Sequence, residues 1–482
     1  MAEASRRLIG RGSIYTLGSA APMLAGVAVT PLLTRSLGVE AYGEVSIAVT
    51  VMQWALGLFA LGLPVAITRY AVLAGPGPEA AARARGVTGA GAALSLALTL
   101  VLAGCGWVLG DVLADSLPTA ALLALVAGGL GAGVAMCQAW ALAHEDSWFY
   151  VALAFGVALV APAAGLLTVA VTDSGAVAYL CGLGATVLVV ELLGLARVRR
   201  SGRFVVSWPV LRENLRIGLP VVPHQFATGS ATGVAVLTAG SVLGRAAGGQ
   251  AQVAVYLGTV TLIVTSALSY AWTPIILRAP EEERGGQLSE TARVVTWIAG
   301  LAATGVAATS PLLLRFLVPA SFDVESLVPV AALVSLTAPL AAVYLAHSQP
   351  VVASGRTAGL ALASPSALLL GAGASVIATR AWGLVGVAIG YVVTYVLLYA
   401  FTRTLARRVS DLRWHELPVL PALLVALAGC LAGALLPVTG LEAVLSRGLL
   451  ATVAGVLLGH LVLSTLRPRT RGAGAPEPGA VV

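Results

Sequence analysis

His224 and Gln225 follow Pro220 and Pro223 in an otherwise apolar run, and Arg69 and Arg278 close two other runs, each a few residues after a proline, Pro64 or Pro274. These are residue types in which chemistry could reside. A guanidinium offers paired donors and a charge that persists at any working pH, which suits a phosphate. An imidazole exchanges a proton near neutrality. Proline frees backbone carbonyls and kinks a helix, as happens where a helix lines a site or moves. Arg35 at the end of the first run, Gln53 in the second, Glu191 in the sixth, and His347 with Gln349 in the tenth complete the set. Each also has a plain structural role. An arginine near a helix end snorkels to headgroups, a membrane histidine or glutamine bonds a neighbouring helix, and Arg35, Glu40 and Glu44 are hydrated loop charges. A membrane glutamate is costly unless paired or protonated. Glu191 therefore bears on proton coupling, or lies near the inner surface where Arg197 neutralises it.

The elements that must position these residues follow from composition. The 482 residues are 58% hydrophobic and 10% charged, against about 25% charged in soluble proteins. A bilayer core of about 30 Å takes roughly 20 apolar residues per helix. Fourteen runs qualify, near 13–34, 45–68, 87–109, 119–142, 149–171, 175–196, 217–240, 251–277, 293–317, 326–349, 358–379, 382–402, 417–437 and 447–466. They are apolar all round, so they do not read as barrel strands, which alternate. The expected class is an all-α polytopic membrane protein. The first run is too long for a signal-peptide core and ends in Arg35, so it reads as a permanent span.

All 28 basic residues are arginine. With a cytoplasmic N-terminus and fourteen spans, 23 of the 28 fall on the inner side, and only Arg35, Arg245, Arg315, Arg380 and Arg447 fall outside. That asymmetry is the positive-inside pattern expected of a multi-pass plasma-membrane protein with both termini in the cytoplasm. It accounts for the net charge of +7 without nucleic acid, because inner loops face anionic lipid. The four cysteines, Cys105, Cys137, Cys181 and Cys430, lie in apolar runs without paired spacing. They read as buried small hydrophobes, and neither a metal site nor a cofactor is implied.

A weak internal repeat organises the runs. "LGVEAYGEVSIA" (37–48) aligns with "LGRAAGGQAQVA" (243–254), matching Leu37 to Leu243, Gly38 to Gly244, Ala41 to Ala247, Gly43 to Gly249 and Ala48 to Ala254. Each copy joins the first and second runs of a six-helix set, where glycines allow a tight reversal. Six spans return the chain to the same side, so the halves are parallel repeats about an axis along the membrane normal. The expected domains are a six-helix lobe over 1–198, a basic cytoplasmic linker over 199–216, a second six-helix lobe over 217–405, helices 13 and 14 over 406–466, and a disordered cytoplasmic tail over 467–482. The tail is polar and rich in proline and glycine.

Several stretches together resemble a known family. "RSLGVEAYG" after the first run, "LGLPVAITRYA" closing the second, "GLPVVPHQF" opening the seventh, "ASGRT" before the eleventh and "RAWGLVGVAIGYVVTY" opening the twelfth are similar, in order and spacing over residues 8 to 405, to the Wzx-type oligosaccharide flippases. These form the polysaccharide-synthesis branch of the multidrug/oligosaccharidyl-lipid/polysaccharide (MOP) exporter superfamily. The resemblance implies two six-helix lobes around a V-shaped cavity, opening alternately to each side and carrying a polyprenyl-diphosphate sugar from the inner to the outer leaflet. The implied partners are a lipid-linked oligosaccharide, membrane lipids and a polysaccharide polymerase, with the chain itself monomeric. Many relatives carry an Asp-Arg pair late in the seventh run. The corresponding "GVAVLTAGSVLG" has neither, so no role of that pair transfers.

The candidate cavity residues are thus Arg69, Arg278, His224, Gln225, Arg35, Gln53, Glu191 and His347. Catalysis is not expected: GxSxG, P-loop, HExxH and CxxC patterns are absent, and the outer connections are short. The rival reading is a drug or metabolite antiporter of the same superfamily. Such proteins typically hold a coupling carboxylate in the first span, and residues 13–34 contain none.

Overall fold

Gly38 divides the first long helix. α1 spans Ala2–Phe59 and leaves helical geometry inside it at Gly38 (φ 73°, ψ 178°), a backbone state that glycine adopts at little cost. The break falls between the first two predicted runs. The reversal therefore rests on Gly38 alone, and Gly43 is helical. A second interruption at Leu61 and Gly62, with φ of 52° and 66°, separates α1 from α2 (Leu63–Ala74). These details come from a computed structural model that describes residues 2–74, 77–112, 119–172, 175–205, 207–270, 280–354 and 356–466.

The first lobe continues with α3 (Pro78–Val112), α4 (Thr119–Ala143), α5 (Ser147–Phe155), a π-helical turn (Gly156–Val160), α6 (Ala161–Thr172) and α7 (Ala176–Arg200). α8 (Trp208–Gly218) begins inside the predicted 199–216 linker, runs two residues past it, and leads through a 3-10 turn (Leu219–Val221) into α9 (Val222–Gly229), α10 (Ala231–Leu243) and α11 (Arg245–Tyr270). The second lobe is completed by α12 (Glu281–Leu317), α13 (Val324–Ser335), α14 (Thr337–Ala353), α15 (Leu360–Trp382) and α16 (Leu384–Val409). α17 (Leu420–Leu435) and α18 (Gly440–Leu466) follow.

Among the described residues, ten helices are long and apolar enough to cross a membrane, or eleven with the bent pair Trp208–Gly229 and Ala231–Leu243 taken as one. The first predicted run lies on α1, the second on α1 and α2, and the eighth on α11 as far as Tyr270, its residues 271–277 lying outside the described residues. Among the described residues, each predicted run thus falls mainly on helix. The molecule is an all-α polytopic membrane protein of two six-helix lobes plus two C-terminal helices. The pair carrying the seventh run is bent by 55°. That bend falls at Ser230, beyond the two prolines expected to produce it; Pro220 sits in the 3-10 turn instead.

Small residues let the helices approach closely, as is usual where lipid supplies no hydrophobic drive for association. α4 is the centre of the first lobe, with Gly128, Gly129, Gly131 and Gly133 all buried between α1, α3 and α7. The C-terminal pair is pinned by Arg447 on α18. This buried side chain donates to the carbonyls of Leu436 and Pro437 (both 2.7 Å) and of Ala307 on α12 (3.3 Å). Cys137 and Cys430 are buried, but Cys105 and Cys181 are exposed; they sit on faces turned out of the bundle, which an all-round apolar pattern does not reveal.

Candidate transport cavity and lobe seam

The two lobes meet where the repeat places its glycines. Gly43 on α1 packs on the backbone of Arg245 at the start of α11, and a Cβ on Gly249 would stand 2.9 Å from the Gly43 Cα. Gly38 and Gly244, paired in the repeat, both take positive φ (73° and 102°). Around this contact Thr34 Oγ1 donates to the Leu317 carbonyl (2.9 Å), Arg35 donates to those of Pro31 (2.9 Å) and Phe316 (3.0 Å), and Tyr42 meets Phe322 edge to face at 5.7 Å. At the other end of the seam, Gly62 lies against the backbone of Gly218. There Arg83 on α3 pairs with Glu213 on α8. Between Gly43 and Gly62 the chain climbs 19 residues, roughly 28 Å of helix at 1.5 Å per residue. Midway, Trp54 and Phe226 stack edge to face at 5.7 Å.

A cavity of about 250 Å³ opens beside this seam. α1 lines it with Thr30, Tyr42, Ser46 and Gln53, α7 with Tyr179, Leu183 and Val187, and α11 with Gln252. Val157 and Ala158 of the π-helical turn form a further wall. Single π turns inside α-helices recur at functional sites because they displace one side chain from its regular place. Among the described residues, none that lines this cavity is charged.

Of the sequence-predicted residues, Gln53 is the one brought to this cavity. Arg35 is exposed at the arginine-poor face and, instead of being a free loop charge, is tied to helix-end carbonyls. It lines a separate surface crevice with Arg315, Asp323 and Glu325. Arg69 stands on α2, just past the Leu61–Gly62 interruption, and Arg278 lies outside the described residues. His224 bonds Ser364 on α15 through Nδ1 (2.8 Å), inside the second lobe; Gln225 is exposed.

Glu191 is buried at 4% exposure with its carboxyl against Gly133 of α4, one turn beyond Val187 of the cavity wall. It has no hydrogen-bond or ion-pair partner among the described residues. The expected neutralisation by Arg197 does not occur. Arg197 reaches Asp146, the N-cap of α5, at 3.1 Å; it lies six positions further along α7, on an exposed face of the helix.

His347 belongs to a different cluster. Its Nδ1 bonds the Val343 carbonyl (2.9 Å) and its Nε2 stands 3.3 Å from Glu416, whose carboxylate also receives Arg403 (2.8 Å) and Arg407 (3.3 Å). Tyr399 and Trp414 pack on the imidazole. Burial works to raise the Glu416 carboxyl, but hydrogen bonds from Arg403 and His347 outweigh it and hold the group below its ordinary value. The cluster ties the connection after α16 back to α14 and is remote from the cavity. Among the described residues, no three His, Cys, Asp or Glu side chains gather as a metal site.

The residues that sequence reasoning missed are Tyr42, Tyr179 and Gln252. Tyr179, Leu183 and Val187 recur every fourth residue and so share a face of α7, but nothing in the sequence marks that face as the one turned to a cavity.

Residues 9–279 match the family model described as "Polysaccharide biosynthesis protein". A search of curated proteins gives no match. Among solved structures, the chain is similar to a lipid II flippase MurJ in an inward closed conformation, with 14% identity, a TM-score of 0.63, and coverage of 94% of this chain and 99% of that one. It is also similar to an inward-facing multidrug resistance MATE family transporter of the MOP superfamily, with 16% identity, a TM-score of 0.58, and coverage of 83% and 98%. A third likeness, at 14% identity, a TM-score of 0.56, and coverage of 83% and 94%, is to a MOP superfamily transporter from Pyrococcus furiosus. These likenesses concern the fold. With the family model covering more than half of its length, the chain belongs to the polysaccharide biosynthesis protein family and has the fold of MOP superfamily transporters.

Proposed function

We propose that this protein is a flippase that moves a polyprenyl-diphosphate-linked oligosaccharide from the inner to the outer leaflet of a bacterial plasma membrane, by alternating access of its two lobes. The observation that carries the reading is membership of the polysaccharide biosynthesis family over residues 9–279. The seam gives it a mechanical basis. The lobes, taken as 1–198 and 217–405 with the 199–216 linker between them, touch at both ends through glycine backbones, and releasing one end while keeping the other opens the space between to one leaflet. A diphosphate and its sugars cannot cross hydrocarbon, so the headgroup takes this polar route while the prenyl tail stays in lipid. On this reading Arg69 and Arg278 are the candidate cations for the diphosphate at the arginine-rich, cytoplasmic face. On this reading both termini are cytoplasmic, helices 13 and 14 (406–466) and the 467–482 tail are appended to the transport unit, the chain is a monomer, and it passes its cargo to a polysaccharide polymerase. It transports and does not catalyse.

One observation favours the rival antiporter. Glu191 is an unpartnered carboxyl buried in the first lobe, where ion coupling would need one. The two readings separate in a strain lacking this gene, by mass spectrometry of its polyprenyl-diphosphate sugars. Accumulation of one lipid-linked oligosaccharide, reversed by the intact gene and not by an Arg69→Ala variant that reaches the membrane, is the expected result. No accumulation, together with altered tolerance to small toxic compounds, overturns the flippase in favour of the antiporter.

A further inference from the structure

The 250 Å³ cavity beside the seam is where the chemistry runs against the obvious occupant. A diphosphate needs cations, and this cavity has none. A multiply charged anion brought into a charge-free, partly apolar pocket loses its hydration and gains no partner. A prenyl segment fits the apolar walls but would cover the carboxamides without bonding them, and a polar group taken from water without a partner is costly. Those polar groups are specific. Gln53 comes from α1 in the first lobe and Gln252 from α11 in the second, and neither side chain has a hydrogen-bond partner among the described residues. Each carboxamide presents an acceptor oxygen and two donor hydrogens side by side. Such a pair matches neighbouring hydroxyls, each of which donates and accepts. Tyr42, Tyr179 and Ser46 add hydroxyls and ring surface, and the π-helical turn shapes the remaining wall. The space corresponds to roughly eight waters at about 30 Å³ each, enough for one sugar ring.

We propose that this cavity is a subsite for a single uncharged sugar ring of the cargo, gripped by Gln53 and Gln252 from opposite lobes, while the diphosphate sits elsewhere. The proposal rests on the flippase reading and adds to it a division of labour: the cavity beside the seam reads the sugar and the arginines elsewhere meet the diphosphate. Because the two carboxamides belong to different lobes, the sugar is held fully only while the lobes are together, and their separation releases it.

The test is isothermal titration calorimetry on the full chain in lipid nanodiscs. The probes are farnesyl diphosphate and its glucosyl, galactosyl and N-acetylglucosaminyl derivatives. At least one derivative should bind ten-fold or more tightly than farnesyl diphosphate. Gln53→Leu and Gln252→Leu, which keep volume and remove the carboxamide, should each abolish that increment and leave the affinity for farnesyl diphosphate unchanged. Val49→Phe, which fills the cavity from α1, should do the same. If farnesyl diphosphate binds and no sugar improves on it, the subsite is overturned and the flippase reading stands. If the leucine variants weaken farnesyl diphosphate equally, the cavity serves the carrier and not the sugar, and the proposal falls. If no probe binds, the subsite and the flippase reading fall together.

Discussion

The two ends of the lobe seam are closed by the same device and reinforced by different ones. At the arginine-poor end, the Gly43 contact is surrounded by hydrogen bonds from Thr34 and Arg35 to the end of α12 and by the Tyr42–Phe322 ring contact. At the arginine-rich end, the Gly62 and Gly218 backbones meet beside the ion pair of Arg83 and Glu213. The Glu213 side chain is 57% exposed, and an exposed pair contributes about 0.2–1 kcal/mol and is screened by salt. Among the described residues, the arginine-poor end thus has several uncharged or carbonyl-directed contacts, largely indifferent to salt, whereas at the other end the backbone contact is joined by an ion pair that salt screens. The difference teaches that the seam is asymmetric in kind: salt weakens the arginine-rich end and leaves the arginine-poor end largely untouched.

The largest test of that asymmetry is Gly43→Val, whose side chain would overlap the Arg245 backbone. The arginine-poor end then cannot close. Complementation of the deletion strain should drop to the empty-vector level while membrane abundance is kept; wild-type complementation would remove Gly43 from the closing contact. Gly62→Ala comes next. Its Cβ clashes with Gly218 and its positive φ adds of order 1 kcal/mol of strain. A cysteine placed at Gln252 in a cysteine-free background should then react with an impermeant maleimide faster from the arginine-rich side, and equal rates from both sides would sink the assignment of that end.

Glu416→Gln, in the connection after α16, is a control away from both ends of the seam. It removes charge-assisted hydrogen bonds worth about 1.5–3 kcal/mol, so the thermal midpoint in detergent should fall with no change in which side is accessible. Its pH dependence has a definite sign. The folded carboxyl lies below its ordinary value, so the stabilisation is complete above about pH 4.3 and is lost as pH falls through the depressed folded value. The gap between wild type and variant should be constant from pH 7 to pH 5 and shrink below pH 4. A gap that instead closes near pH 6 would assign the effect to His347. Thr34→Val loses one buried bond, about 1 kcal/mol, in a manner insensitive to salt. The smallest effect belongs to Arg83→Ala, under about 1 kcal/mol and vanishing in 0.5 M salt. If Arg83→Ala proved the more damaging of these last two, the asymmetry would be reversed.

Much of this architecture was legible beforehand. The runs fall on helices because composition and length alone decide whether a segment suits a bilayer. The repeat was legible at Gly38 and Gly244 because a left-handed backbone state selects glycine locally. What Gly43 and Gly249 do was not: both are helical, and their value lies in touching the opposite lobe. Gln53 was found as a polar residue in an apolar run, yet Gln252 passed unremarked because it lies near a predicted helix end, where polarity is ordinary. Arg197 was assigned to Glu191 by proximity in sequence, whereas its partner is Asp146, from another helix end.

The sequence by itself determined that this is a helical membrane protein, how many runs it has, where arginine concentrates and where the chain repeats. These are properties of single segments measured against a bilayer. Only the tertiary structure decided which faces meet, that the repeat glycines close the seam, and that two carboxamides from different lobes face one uncharged cavity. The physical reason is the solvent. In water a helix announces its buried face by being apolar on one side, but in lipid every face is apolar and association depends on small residues and shape, so the pattern that locates a span does not orient it.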